Sequence, residues 1–124
     1  DTTHPAYFGG GFESATASFG SLPGLVESFR SGLGFAYDDH GPGCASGIER
    51  MTRYFNEFTL VPKVLPLLDG VVDKLERGVA VADVGCGGGV ATLAMATAFP
   101  RSTFVGYDIS DHALARARDR LAHV

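Results

Sequence analysis

The sequence predicts an α/β fold in which helices come first and a strand–helix–strand–helix unit follows, incomplete as a sheet. Three observations predict it. Apolar residues recur at helical spacing from Ser46 to Leu75. The period then changes to two short continuous apolar runs, and a glycine cluster closes the first of them.

Residues 1–45 are rich in Gly, Ser and Pro, with Tyr7, Phe8, Phe12 and Phe19 set among them. That composition reads as a connecting segment anchored by a few rings. Within it, residues 23–30 predict a short helix with Ser21 as its cap and Gly32 or Gly34 as its stop. Residues 34–43 (Gly-Phe-Ala-Tyr-Asp-Asp-His-Gly-Pro-Gly) predict a loop. From Ser46 onward, Met51, Tyr54, Phe55 and Phe58 fall on one helical face. A second helix follows over Val61, Val64, Leu65, Leu68, Val71, Val72 and Leu75, with Pro62 near its start and Gly78 just past its end. Pro66 and Gly70 predict a kink in it.

Val79–Val84 reads as a strand buried on both faces, of the parallel-sheet type. Val90–Ala98 is an Ala-rich helix that ends before Pro100, and Thr103–Tyr107 is a second strand. Ser110 caps a last helix in which Leu114, Ala117 and Leu121 share a face. Arg116, Arg118 and Arg120 alternate along that helix and, with Asp119, read as solvated charge.

Composition narrows the function. The chain has 124 residues, 45% apolar and 19% charged, which suits one packed domain. Its net charge of −4 gives nucleic-acid phosphates no attraction. No apolar run reaches the roughly 18–20 residues of a membrane span. Asp1–Pro5 shows neither the basic nor the apolar region of a secretory leader. Two cysteines, Cys44 and Cys86, make no disulfide framework and no metal-ligand spacing, so a cytoplasmic, reduced setting is expected. Because the first residue is Asp1 rather than Met, the chain reads as a piece of something longer.

The chemistry is concentrated in Asp83-Val84-Gly85-Cys86-Gly87-Gly88-Gly89. A ligand lying across the carboxyl end of a parallel sheet comes close to the main chain where strand turns into helix, and glycine permits that approach. The loop N–H groups and the helix N-terminus then offer donors to ligand oxygens. Asp108, at the tip of the second strand, can accept hydrogen bonds from both hydroxyls of a ribose. Together these point to a nucleoside-type ligand, against the plainer reading of a structural glycine turn. A dinucleotide fingerprint laid from Gly85 demands Gly or Ala where Val90 stands, and no phosphate-loop motif occurs.

At these residues the chain resembles the class I S-adenosylmethionine-dependent methyltransferases, whose first motif (acid-x-Gly-x-Gly-x-Gly) stands here as Asp83, Gly85, Gly87 and Gly89. Their second motif, an acid ending the second strand, matches Asp108. The resemblance implies a Rossmann-like methyltransferase sheet of which this chain holds the first βαβα half. It implies that Asp83 and the Gly85–Gly87 turn hold the methionine part of the cofactor. Asp108 would take the ribose hydroxyls, Ile109 would lie against the adenine, and Cys86 would contribute its backbone. It names no catalytic residue, and no metal is implied. Residues 29–41 and the helices after them look like bacterial methyltransferases with an N-terminal winged-helix domain. On that likeness, residues 1–45 are a linker and the tail of a preceding domain, and 46–124 open the catalytic domain.

An NAD-linked oxidoreductase fragment and a non-catalytic interaction module of the same fold are the alternatives. The methyl acceptor, whether small molecule or macromolecule, is open; RNA is disfavoured by charge. Two strands alone leave an edge and an apolar face bare, which implies either more chain after Val124 or two copies that exchange elements as a homodimer. By itself the chain is expected to bind cofactor weakly or not at all and to turn nothing over. Tyr37, Asp38, Asp39 and His40 read as a solvated turn or as the border of an acceptor pocket. Tyr54 and Phe55 read as core or as cofactor contacts.

Overall fold

The structure, a computed structural model, describes His4 and residues 7–123. Most of Asp1–Pro5, on which the leader reading rests, therefore lies outside the described residues.

The elements run α1 (Gly9–Gly20), α2 (Leu22–Ser31), α3 (Pro42–Phe58), α4 (Val71–Arg77), β1 (Ala80–Val84), α5 (Val90–Ala98), β2 (Thr103–Tyr107) and α6 (Asp111–Leu121). This is the expected mixed α/β order, helices and then an incomplete Rossmann-like unit. β1 and β2 pair in parallel, from Ala80 opposite Thr103 to Val84 opposite Tyr107. The second half is the part whose local signals agree. Gly78 stops α4 at φ +98°. Ser110, fully buried, accepts a hydrogen bond from the Ala113 N–H at 3.0 Å and caps α6, a contact worth about 1 kcal/mol.

Three expectations are corrected. First, residues 9–20, part of the stretch whose Gly-, Ser- and Pro-rich composition reads as irregular, are helical. Three consecutive glycines disfavour a helix on propensity, but α1 crosses α3 where Gly10 and Gly47 are both buried. A Cβ on Gly10 would stand 2.2 Å from the Gly47 carbonyl oxygen, so only glycine lets the two backbones touch. Glu13 and Arg50 pair across the crossing at 2.6 Å. Second, the helix expected over 61–75 is broken. Pro66 lacks an N–H, Leu68 turns extended at ψ 113° and Gly70 adopts φ +66°. What precedes the break is a π turn over Leu60–Val64 and a 3₁₀ turn over Leu65–Leu67.

Third, the strands are not buried on both faces; their burial alternates. Helices cover one side of the pair only. There Leu65, Leu75 and Phe99 form the core, with Val81, Met95 and Phe104 packed against it. Burying a side chain such as Leu75 contributes about 2 kcal/mol. On the other side Val84, Val105 and Tyr107 stand exposed, Val84 at 83%. Residues 23–30 are helical as expected and Gly32 is the stop, at φ +72°. Ser21 occupies the cap position, but its hydroxyl bonds the Ser18 carbonyl and His40 Nδ1 instead of the helix.

Candidate functional site

β1 ends at Val84 and α5 begins at Val90, so residues 85–89 must reverse direction in one short loop. Gly85, Gly87 and Gly89 have φ of +81°, +55° and +74°, in the left-handed region that side chains rarely adopt. At Gly85 and Gly87 a Cβ would meet no atom within 4 Å. Their requirement is therefore backbone shape, and the space above them is open to a ligand.

The loop is tied to the tip of β2. The Gly85 and Cys86 N–H groups both donate to the Tyr107 carbonyl, at 2.7 and 3.0 Å. The Gly87 N–H donates to Asp108 Oδ2 at 2.7 Å, and the Ser110 N–H donates to Asp108 Oδ1 at 2.9 Å. Asp108 therefore faces the glycine turn, with lone pairs left on both oxygens for a further donor.

Against this loop stands a cleft of about 620 Å³, within the range of small-ligand sites. Its floor is Gly85, Cys86, Gly87 and Gly88, with Asp108 and Ile109 at the β2 tip. Ile48, Thr52, Phe55 and Asn56 of α3 form the opposite wall, and Tyr37 closes one end. Burial, the Cys44 thiol and the nearby Asp108 and Asp38 push the Tyr37 phenol up to about 12, so it carries its proton at neutral pH. Burial, then Asp83 and Asp108, raise the Cys86 thiol, which leaves it protonated and a poor nucleophile.

Of the residues singled out in the sequence, Gly85, Cys86, Gly87, Asp108 and Ile109 come together on the cleft. Asp83 and Gly89 do not line it. The Asp83 carboxylate accepts from Thr92 Oγ1 and so ties the first turn of α5 to β1. Gly89 faces α6, where a Cβ would lie 3.1 Å from Ala117 Cβ, beside a second hollow of about 530 Å³ between α5, β2 and α6.

Residues 75–123 match the family model of a methyltransferase domain. The match spans β1, the glycine loop, α5, β2 and α6, and it supports methyl transfer as the general chemistry of this part of the chain. The search of curated proteins returned no match.

Several contacts were not legible in the sequence. Asp38 accepts from the Ser110 hydroxyl and from the Asp111 N–H at 2.7 Å, so its carboxylate braces the start of α6. His40 packs against Phe35 at 4.8 Å and Asp39 accepts from the Ala36 N–H. Tyr37 alone of that tetrad lines the cleft. Phe55 lines it too, whereas Tyr54 packs on Phe58 at 5.3 Å.

The arginines of α6 are corrected most. Arg116 and Arg120, four residues apart, share a face and both bind the buried Glu49 of α3. Burial alone would push the Glu49 carboxyl up, but the two guanidiniums outweigh it and hold it below the usual glutamate value. Among the described residues, no group of three or more His, Cys, Asp and Glu is placed to hold a metal ion. Nor is any described helix long and apolar enough to cross a membrane.

Proposed function

We propose that the chain is the cofactor-binding part of an S-adenosylmethionine-dependent methyltransferase, acting on an acceptor its own residues do not specify. The observation that carries this reading is the joint placement of Gly87 and Asp108 at the mouth of an open cleft, inside the segment that matches a methyltransferase domain.

The residues present fit such a cofactor. Open space above Gly85 and Gly87 admits close approach to the main chain. Asp108 offers acceptors for vicinal hydroxyls, and Ile109, 89% exposed, offers an apolar surface for a base. The Phe55 and Tyr37 rings, with the Asp108 carboxylate, suit a positively charged ligand. Asp83 acts one step back, by holding α5 through Thr92.

When bound, the cofactor supplies a methyl already activated on a cationic sulfur. The chain then has to orient the ligand, which the α3 wall and the backbone cradle of the glycine turn do without a general base. An NAD-linked reading is disfavoured by Val90. It is buried where a dinucleotide fingerprint needs Gly or Ala for helix–strand packing.

Saturation-transfer NMR with S-adenosylhomocysteine and NADH in parallel tests this. Transfer to the adenosyl protons of S-adenosylhomocysteine, with none to NADH, is the expected result. The reverse selectivity would return the chain to the oxidoreductase alternative, and no transfer to either would favour the interaction module.

A further inference from the structure

The Gly87–Gly88 segment is gripped from two sides. Its leading N–H is held by Asp108, and its trailing Gly88 carbonyl accepts from Arg120 Nε at 3.1 Å. A terminal nitrogen of the same guanidinium donates to Glu49 Oε1. Arg116 donates to both oxygens of that carboxylate, Oε2 from Nε and Oε1 from a terminal nitrogen, each at 2.9 Å. The carboxylate also lies directly against Gly88: a Cβ there would stand 1.9 Å from Glu49 Oε2. Glu49 is 8% exposed and sits on α3, the helix that forms the facing wall of the cleft.

We propose that Glu49 and Arg120 form a positioning clamp that fixes the Gly87–Gly88 peptide against α3 and so sets the width and donor direction of the cleft. This rests on the cofactor reading for its consequence, but not for its geometry. Arg120 acts through the Gly88 carbonyl, and Glu49, which also lines the cleft, acts both through Arg120 and by lying directly against Gly88. The clamp spans three elements that the chain brings together from far apart, α3, the loop and α6, so ordering it removes the loop's freedom to swing before any ligand arrives. The guanidinium serves both acceptors from separate nitrogens of one planar fork, Nε to the carbonyl and a terminal nitrogen to the carboxylate, a spread that a single ammonium nitrogen does not have.

Arg120→Lys is the cleanest variant. It keeps a positive charge for Glu49 but presents a point charge in place of the fork, so the Gly88 contact is lost while the ion pair remains. Hydrogen exchange of the two bonded loop amides, Gly87 (to Asp108) and Gly89 (to the Cys86 carbonyl), read by NMR on the whole chain without ligand, should accelerate by about tenfold, the effect of losing one hydrogen bond to a charged group. Affinity for S-adenosylhomocysteine should fall in parallel. Arg120→Met should show the same, and Arg118→Met, on the same helix but outside the clamp, should show neither.

A merely structural ion pair predicts that Arg120→Lys leaves loop exchange and affinity at wild-type values, and that result would overturn the clamp. If loop exchange rises but wild-type protein binds no S-adenosylhomocysteine, the clamp stands and the cofactor reading falls. If wild type binds and neither Arg120 variant changes the loop, the cofactor reading stands and the clamp falls.

Discussion

Asp108→Ala is expected to weaken S-adenosylhomocysteine binding by at least about tenfold, the largest functional effect of any single substitution in the cleft. Two losses combine. The variant removes the acceptors proposed for the ribose hydroxyls. It also releases the Gly87 and Ser110 N–H groups, which the carboxylate now holds at 2.7 and 2.9 Å. Asp108→Asn separates them: it keeps one acceptor and the side-chain shape, so it should retain more of the affinity than Ala. Isothermal titration at equal protein concentration reads both. Wild-type affinity in Asp108→Ala would remove this carboxylate from the site.

Gly88→Ala should produce the largest loss of stability in the loop. The added Cβ would stand 1.9 Å from Glu49 Oε2 and 2.8 Å from its Cδ. Glu49 cannot swing aside cheaply, because Arg116 and Arg120 both hold it. Either the loop shifts or a buried carboxylate leaves its partners, at a cost of about 2–3 kcal/mol. For a domain of this length the thermal midpoint should fall by roughly 5–10 °C, measurable by circular dichroism. Gly87→Ala provides the contrast. Nothing lies within 4 Å of its Cβ, so its stability cost is only the left-handed backbone, about 1–2 kcal/mol, while the methyl enters the space a ligand would use. Stability and binding should therefore separate between these neighbouring glycines. Equal thermal midpoints for the two variants would mean that Glu49 does not pin Gly88.

The pattern of what the sequence discloses follows from where each signal resides. β1, α5, β2 and α6 carry their period, cap and stop within themselves, so Ser110, Gly78 and the two apolar runs are readable one at a time. The loop's glycines announce their own conformations. α1 is different: its glycines argue against a helix until α3 is present to touch Gly10 with Gly47. The alternating exposure of β1 and β2 likewise depends on what covers them, which no property of Val84 or Val105 encodes. Within the site, Asp83 sits at the strand end where the motif predicts an acid, but Thr92, one turn into α5, takes its carboxylate. Glu49 and Arg116 are 67 residues apart, a separation at which charge pairing leaves no mark in one sequence. Reading Arg116, Arg118 and Arg120 as one alternating set also concealed that the first and last are a helical i, i+4 pair.

The most direct test of the account is a ¹H–¹⁵N titration of the labelled chain with S-adenosylhomocysteine, which maps weak binding residue by residue. Saturable shifts at Gly85, Cys86, Gly87, Asp108, Ile109 and Phe55 are predicted, with Leu114 and Leu121 of the hollow beneath α6 undisturbed. Shifts confined to that hollow, or none along the glycine turn at ligand excess, would contradict it.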